Sequence, residues 1–223
     1  MPLTSRQVYD ELRQRILQGS LQAGRTLVET AVAQQLDVSR TPVREALRRL
    51  EQDGLVERVG RGLRVVQRSP EQILEIYEVR VILEAAAART AADRRTDFDI
   101  RRLRAIHRQM QELTDDAVDA RVRLNNAFHE ALWQASHNAT LVDCIVRLLV
   151  QLRPYPQTTL EAPGRWDLIL KEHDELISAI ESRDCDQAAA IATAHMTQAR
   201  DIRLRMFAEG FGAESVVPEE PLI

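Results

Sequence analysis

From residue 71 to about residue 209, apolar side chains recur at helical spacing, and no segment shows the alternation that is typical of a strand. The pattern predicts six helices, near residues 71–93, 97–113, 116–136, 139–152, 164–182 and 184–208. Polar, glycine or proline breaks separate them. Amphipathic helices without a sheet can bury their apolar faces only against one another, so this region is expected to be an all-helical bundle.

The first 68 residues have a different organisation. Helices are predicted near residues 5–18, 29–36 and 39–53, and two β-rich segments within residues 55–66 flank a glycine-containing turn. Helix, turn, helix and hairpin is the order of a winged helix-turn-helix. The fold class is therefore mainly α, with a winged domain at residues 1–68, a helical domain at residues 69–209, and a poorly ordered tail at residues 210–223.

Charge divides the chain in the same place. Residues 1–68 hold 12 arginines and 8 acidic residues, whereas the remainder holds 18 basic and 26 acidic residues. A basic small domain suits a polyanion, although arginine enrichment is also typical of a G- and C-rich genome.

No apolar run approaches the roughly 20 residues of a membrane span, and no secretory signal or CxxC motif is visible. A reducing cytoplasm is therefore the expected location.

Arginines on the third helix are the candidate DNA contacts. Arg40, Arg44 and Arg48 recur every four residues and share one face, opposite an apolar stripe. The start of this helix, with Arg40, Thr41 and Arg44, can approach phosphates and base edges in the major groove. Arg61 lies between two glycines at the hairpin tip and can enter a minor groove. Arg48 and Arg49 are interpreted as a solvated face.

Histidines form a second candidate cluster. His129, His173 and His195 lie on three predicted helices, and Asn125 lies one turn before the first of them. A bundle can bring such residues to one interior point, where neutral imidazoles suit zinc, nickel or copper. Spacing alone leaves the matter open, because a helical histidine is more often a surface residue or a satisfied core residue. His107 and His137 are interpreted as structural.

Two stretches carry a family resemblance. Residues 38–47 (VSRTPVREAL) with 50–56 (LEQDGLV), and upstream residues 16–24 (ILQGSLQAG), resemble GntR-family bacterial transcription regulators. Residues 77–84 (YEVRVILE), 128–132 (FHEAL) and 172–173 (EH) with His195 resemble the FCD group, the ligand-binding domain of one branch of that family. Together the two resemblances cover nearly the whole chain.

The resemblance implies specific contacts and partners. Arg40, Thr41, Arg44, Gly60 and Arg61 would contact an inverted-repeat operator, which the protein would bind as a homodimer. Many FCD domains hold a divalent metal with three histidines and one carboxylate or amide. The corresponding residues here are Asn125, His129, His173 and His195, with zinc expected first and nickel or another transition metal as alternatives. Asn125 stands where the family often has Asp, and its neutral oxygen is a poorer ligand.

Arg80 is the remaining candidate. It lies among apolar residues on the first bundle helix, where an unpaired charge is unfavourable. One interpretation is an ion pair with Glu84, four residues later. The resemblance suggests the other, that Arg80 lines an effector cavity and binds a carboxylate.

Three functions are weighed. The first is a metabolite-responsive transcription regulator, acting as a repressor, with a small organic acid as effector and no membrane partner. The second is a metal-dependent, hydrolase-like enzyme. It is disfavoured because no HExxH motif is present and because Glu130 and Glu172, each adjacent in sequence to a candidate ligand, are not aimed at the metal. The third is a constitutive DNA binder whose metal is purely structural.

Overall fold

The chain forms two compact units in the computed structural model, which describes residues 3–60, 62–114, 117–152 and 158–208. We call them the N-terminal unit (residues 3–60, 62–73, 149–152 and 207–208) and the helical unit (residues 74–114, 117–148 and 158–206). The predictions for Arg61 and for the tail at residues 210–223 lie outside the described residues.

The secondary structure is predominantly helical, as the sequence predicts. The described elements, in chain order, are α1 (Ser5–Leu17), β1 (Thr26–Leu27), α2 (Glu29–Gln35), α3 (Arg40–Gln52), β2 (Val56–Val59), β3 (Gly62–Val65), α4 (Pro70–Arg94), α5 (Asp97–Gln111), α6 (Val118–Ala135), α7 (Ala139–Val150), a 3₁₀ helix (Thr159–Glu161), α8 (Arg165–Glu181) and α9 (Cys185–Ala208).

The N-terminal unit is a winged helix-turn-helix. Its three helices pack around one apolar core, which includes Val8, Leu12, Val43, Leu47 and Leu50. The antiparallel sheet has the order β1-β3-β2, so the predicted hairpin of β2 and β3 gains a third strand. Sequence periodicity does not predict β1, because a two-residue strand is too short to show alternation.

Local signals explain where the N-terminal helices begin and end. Thr4 and Gln7 form a reciprocal capping box at the start of α1. Pro42 lies in the first turn of α3, where its missing N–H removes no helical hydrogen bond. Gly54 follows α3 with a φ of +69°, a conformation that glycine adopts without steric cost. These signals hold α3 at a defined length beside the wing.

The helical unit contains helices alone among its described residues, apart from the 3₁₀ helix in the stretch predicted as a loop. A capping box of Thr96 and Asp99 begins α5. Phe128, Leu103, Met110 and Ile169 are among its most buried side chains. Several polar residues are buried with them: Glu84, His107, His129, Arg165, His173, His195 and Arg203. Across the described residues, no helix is long and apolar enough to cross a membrane.

Candidate DNA-binding surface and buried histidine site

The outer face of α3 is a basic surface on a rigid support. Arg40, Thr41 and Arg44 are exposed along the first turns of the helix. The opposite face is fully packed, with at most 1% of each side chain exposed, at Val43, Ala46, Leu47 and Leu50. The predicted division of α3 into an apolar face and an arginine face is therefore present.

A cleft of about 770 Å³ lies between α3, the start of α2 and the sheet, and its lining includes Arg40, Arg44, Arg48 and Arg58. Acidic side chains hold two of these arginines: Arg40 donates to Glu29 at 3.1 Å, and Arg58 donates to Glu51 at 3.3 Å. Arg44 and Arg48 make no ion pair or side-chain hydrogen bond with any other described residue. Their guanidinium groups are the most available in the cleft.

The wing and the end of α3 give two further observations. Gly60, in the turn between β2 and β3, has a φ of +57°, which favours glycine there. Arg49 is exposed, as expected, and its guanidinium also lies 4.1 Å from the centre of the Tyr9 ring. Packing on an aromatic face therefore gives Arg49 a structural role that its neighbour Arg48 lacks.

In the helical unit, α6, α8 and α9 bring three histidines together. His129, His173 and His195 are 3%, 0% and 3% exposed. Their nearest ring nitrogens all lie within 4.8 Å of one another, and Nε2 of His129 is 3.3 Å from Nε2 of His195. The convergence that spacing alone left open is therefore present in the structure.

Buried polar atoms without a partner lie on the same helices. Both ring nitrogens of His173 are solvent-inaccessible and have no hydrogen-bond partner among the described residues, and the same holds for Oδ1 of Asn125, one helical turn before His129 on α6. A buried polar atom without a partner is unfavourable by about 1–3 kcal/mol. Several such atoms around three histidines fit a site that is completed by a bound cation.

Two of the three histidines are held in the neutral form that binds metals. Burial, together with the neighbouring histidines and Arg165, lowers the pKa of His173 well below its usual value. Burial and His129 lower the pKa of His195 to about 4, against the opposing effect of Glu172. Both imidazoles are therefore neutral near pH 7, and their lone pairs need no proton loss before a metal binds.

Arg80 forms an ion pair with Glu84, as the first of its two interpretations predicts. Its Nε donates to Glu84 at 3.1 Å, and 15% of its side chain is exposed. Glu84 is 1% exposed and also accepts from Trp133 Nε1 at 2.6 Å. Burial alone would raise the pKa of Glu84, but His129, Arg80 and Trp133 outweigh it and lower the pKa to about 2.

Sequence reasoning missed a second buried pair beside the histidines. Arg165, at the start of α8, donates to Glu172 at 2.8 Å. Glu172 in turn contacts Nδ1 of His195 at 2.5 Å. This contact of Glu172 with another helix has no signal in the local sequence. Glu130 is exposed and accepts only from Gln134 among described residues.

The other two histidines lie outside the cluster. Nε2 of His107 lies 3.0 Å from the backbone oxygen of Leu170, and Nε2 of His137 lies 2.9 Å from a carboxylate oxygen of Asp99. Each contact joins two helices or their ends, which agrees with their interpretation as structural residues.

Comparisons with known proteins agree with both halves of the structure. Residues 4–65 match bacterial regulatory proteins of the gntR family, and residues 75–198 match the FCD domain. An uncharacterized HTH-type transcriptional regulator of Bacillus subtilis (strain 168), YdhC, is 30% identical over 196 residues, 85% of this chain and 86% of that protein. The HTH-type transcriptional repressor RspR of Escherichia coli (strain K12) is 28% identical over 87% of this chain and 86% of its own.

A solved structure extends the likeness to three dimensions. E. coli McbR/YncC superposes with a TM-score of 0.72 at 25% identity, over 93% of this chain and 100% of that chain. The winged unit, the helical unit and both family matches agree on one assignment. The chain belongs to the gntR family of bacterial regulatory proteins and carries an FCD domain, and it is a DNA-binding transcription regulator rather than an enzyme.

Proposed function

We propose that this regulator is a cytoplasmic repressor that binds an inverted-repeat operator as a homodimer, and that a small carboxylate bound in the helical domain changes its affinity for that operator. Residues 1–68 would form the DNA-binding domain and residues 69–209 the sensing and dimerising domain. The repressor activity of a relative, RspR, supports the sign of regulation by analogy.

Arg40, Thr41, Arg44, Gly60 and Arg61 are the proposed operator contacts. Arg44 is the strongest of them, because it is exposed at the start of α3 and makes no ion pair with a described residue. Arginine in this position can bind guanine with two hydrogen bonds. Arg40 would first exchange its contact with Glu29 for a phosphate or a base.

The single observation that supports a metal-dependent sensor is the buried meeting point of the three histidines, with its unpartnered polar atoms. Asn125, His129, His173 and His195 would hold a divalent metal, with zinc as the first choice because it accepts imidazole nitrogen readily. The metal, when bound, would supply a Lewis-acidic position for a carboxylate oxygen. None of the four donors is an anion, so the metal charge remains available to an anionic ligand.

The carboxylate of an effector would also need a guanidinium partner, and two arginines of the described helical unit are considered for that role. Arg80 is one candidate, although its Nε is already used by Glu84. Arg121 is the other. It lines a cleft of about 370 Å³ with Trp166, over whose ring it lies at 5.0 Å. Since Arg121 lies one helical turn before Asn125 on α6, an anion bound there would be close to the metal ligands.

Binding to DNA from immediately upstream of the protein's own gene tests the first part of the proposal. Fluorescence anisotropy at moderate salt is expected to show tighter binding to this DNA than to a shuffled fragment. Arg44→Ala should reduce the preference, whereas Arg101→Ala, which replaces an exposed arginine of the helical unit, should keep it. Equal binding of both fragments by the wild-type protein would contradict the proposal.

A constitutive DNA binder with a structural metal remains the second candidate, because the three histidines are almost completely enclosed. Chelation distinguishes the two functions. If the metal is structural, its removal should lower the thermal stability, and carboxylates should not change the DNA affinity with or without it. If the metal is part of a sensor, its removal should lower the thermal stability and also abolish the effect of carboxylates on the DNA affinity.

A further inference from the structure

The three clustered histidines differ in what holds the nitrogen that faces away from the meeting point. His195 contacts a carboxylate, Glu172, through Nδ1 at 2.5 Å. His129 faces a carboxylate, Glu84, with Nδ1 3.7 Å from Oε2. His173 has neither, and its ring instead lies flat on Phe128, with the ring centres 3.7 Å apart.

Each of the two carboxylates is paired with an arginine on its other side. Arg80 donates to Glu84, and Arg165 donates to Glu172, at 3.1 and 2.8 Å. The helical unit therefore contains two chains of the same composition, arginine, glutamate and histidine. We call them the α4 relay (Arg80, Glu84, His129) and the α8 relay (Arg165, Glu172, His195).

The α8 relay decides which nitrogen of His195 has the lone pair. An ionised carboxylate can only accept a hydrogen bond, so the 2.5 Å contact with Glu172 places a hydrogen on Nδ1. Nη2 of Arg165 also lies 3.3 Å from this nitrogen, but Glu172 is the much closer partner, and Nη2 can donate instead to the backbone oxygen of His195 at 3.4 Å. Nε2 is then the nitrogen with the lone pair, and it is also the nitrogen that faces Nε2 of His129. The α4 relay favours the same tautomer at His129, because a carboxylate opposite Nδ1 repels a lone pair there.

On this basis we propose that Glu84 and Glu172 are positioning residues, which fix His129 and His195 in the tautomer whose Nε2 lone pairs converge on the proposed divalent cation. This inference rests on the metal site of the proposed function. Because each glutamate is matched by an arginine, the two relays add no net charge, and the cation keeps its attraction for an anionic effector. His173 would be oriented by aromatic stacking instead.

Cobalt(II) binding by the full-length protein tests the relays. Glu84→Gln and Glu172→Gln preserve side-chain size, and each should weaken cobalt(II) binding about 10–100-fold, the usual effect of removing such a partner. Glu78→Gln and Glu175→Gln, exposed glutamates on the same two helices, are matched controls that should change it less than about twofold. Unchanged affinity in both relay variants would overturn the proposal.

A second readout does not depend on the variants' folding. In the zinc-loaded wild-type protein, long-range ¹H–¹⁵N correlation spectra should show His129 and His195 protonated at Nδ1 and coordinated through Nε2. Coordination of either through Nδ1 would overturn the relay. If the wild-type protein binds neither cobalt(II) nor zinc, the metal site itself fails, and the relay proposal fails with it. If it binds them and the relay variants match the controls, only the relay fails.

Discussion

The two units place their functional side chains in opposite environments. In the N-terminal unit, the arginines of α3 are exposed and an apolar core lies behind them. In the helical unit, the histidines are buried among other polar groups. The carboxylates that face His129 and His195 belong to other helices than the histidines do. A surface suits a ligand as large as a DNA duplex, whereas an enclosed point suits an ion and a small anion.

Substitutions at the candidate site of the N-terminal unit should therefore change binding without changing stability. Substitutions at the histidines of the helical unit should change both. Replacing an exposed arginine would alter the proposed contacts with DNA and leave the packed face of α3 untouched. Ion pairs on that surface contribute little to folding, typically below about 1 kcal/mol. By contrast, any change at the buried histidines alters groups that the fold must also satisfy. Measurements on the two units should therefore diverge in a predictable way.

The largest expected effect is stabilisation of the helical unit alone by zinc. At a free zinc concentration 1,000 times its Kd, the unfolding free energy should rise by about 4 kcal/mol. Differential scanning calorimetry with zinc and with a chelator should show the rise in the transition of the helical unit only. His173→Ala should abolish the rise and His137→Ala should preserve it. An equal rise in both units, or one that persists in His173→Ala, would contradict a metal site confined to the three histidines of the helical unit.

Acid should destabilise the metal-free helical unit. The pKa of His195 is about 4 in the folded state and about 6.5 when unfolded. The unfolded state therefore binds more protons between these values, so the stability that neutral His195 contributes is present above pH 6.5 and is lost as the pH falls towards 4. The loss is of the order of 3 kcal/mol. Urea titrations with chelator should show this slope, and His195→Gln should reduce it.

Arg44→Ala should weaken operator binding by about 1–3 kcal/mol and relax the preference for sequence, without lowering the melting temperature. Arg48→Ala, on the same face but outside the proposed operator contacts, should leave both the affinity and the salt slope nearly unchanged, whereas loss of an arginine that contacts only phosphate would lower the salt slope by about one. Anisotropy titrations at several salt concentrations measure both quantities. A variant of Arg44 that melts early would show that this surface also supports the fold.

Asn125→Asp should tighten metal binding by about tenfold, or roughly 1.4 kcal/mol, because an anionic oxygen replaces a neutral one. The same change should weaken the response to carboxylates, since less of the metal charge remains for an anion. Competition with a coloured chelator measures the affinity. Asn126→Asp, an exposed neighbour, is the matched control, and an equal gain there would mean that the effect is only general charge.

Sequence reasoning succeeded where the signal is local. The spacing of Arg40, Arg44 and Arg48, the proline in the first turn of α3 and the glycine after it all act within one helix, so the element and its exposed face were predictable. The long helices likewise follow from their own periodicity. A short strand such as β1 has no such signal, because it exists only through its pairing with β3.

The contacts between helices at the buried histidine site could not be predicted from local sequence. Nothing near Arg165 or Glu172 in the sequence indicates that they would lie against His195, because that contact joins α8 to α9. The spacing of the histidines allowed convergence without requiring it, and only the family resemblance pointed to it. Arg49 is a smaller case of the same kind, since its aromatic partner, Tyr9, is on α1.

In the proposed regulator, occupancy of the buried histidine site changes DNA binding by the N-terminal unit. The most direct test is the Kd for upstream DNA of the zinc-loaded protein, with acetate, succinate and citrate as probes carrying one, two and three carboxylates. We predict that at least one of them shifts the Kd of the wild-type protein and that none shifts the Kd of His173→Ala. An identical response of the two proteins, or no response of the wild-type protein to any of the three, would contradict the account.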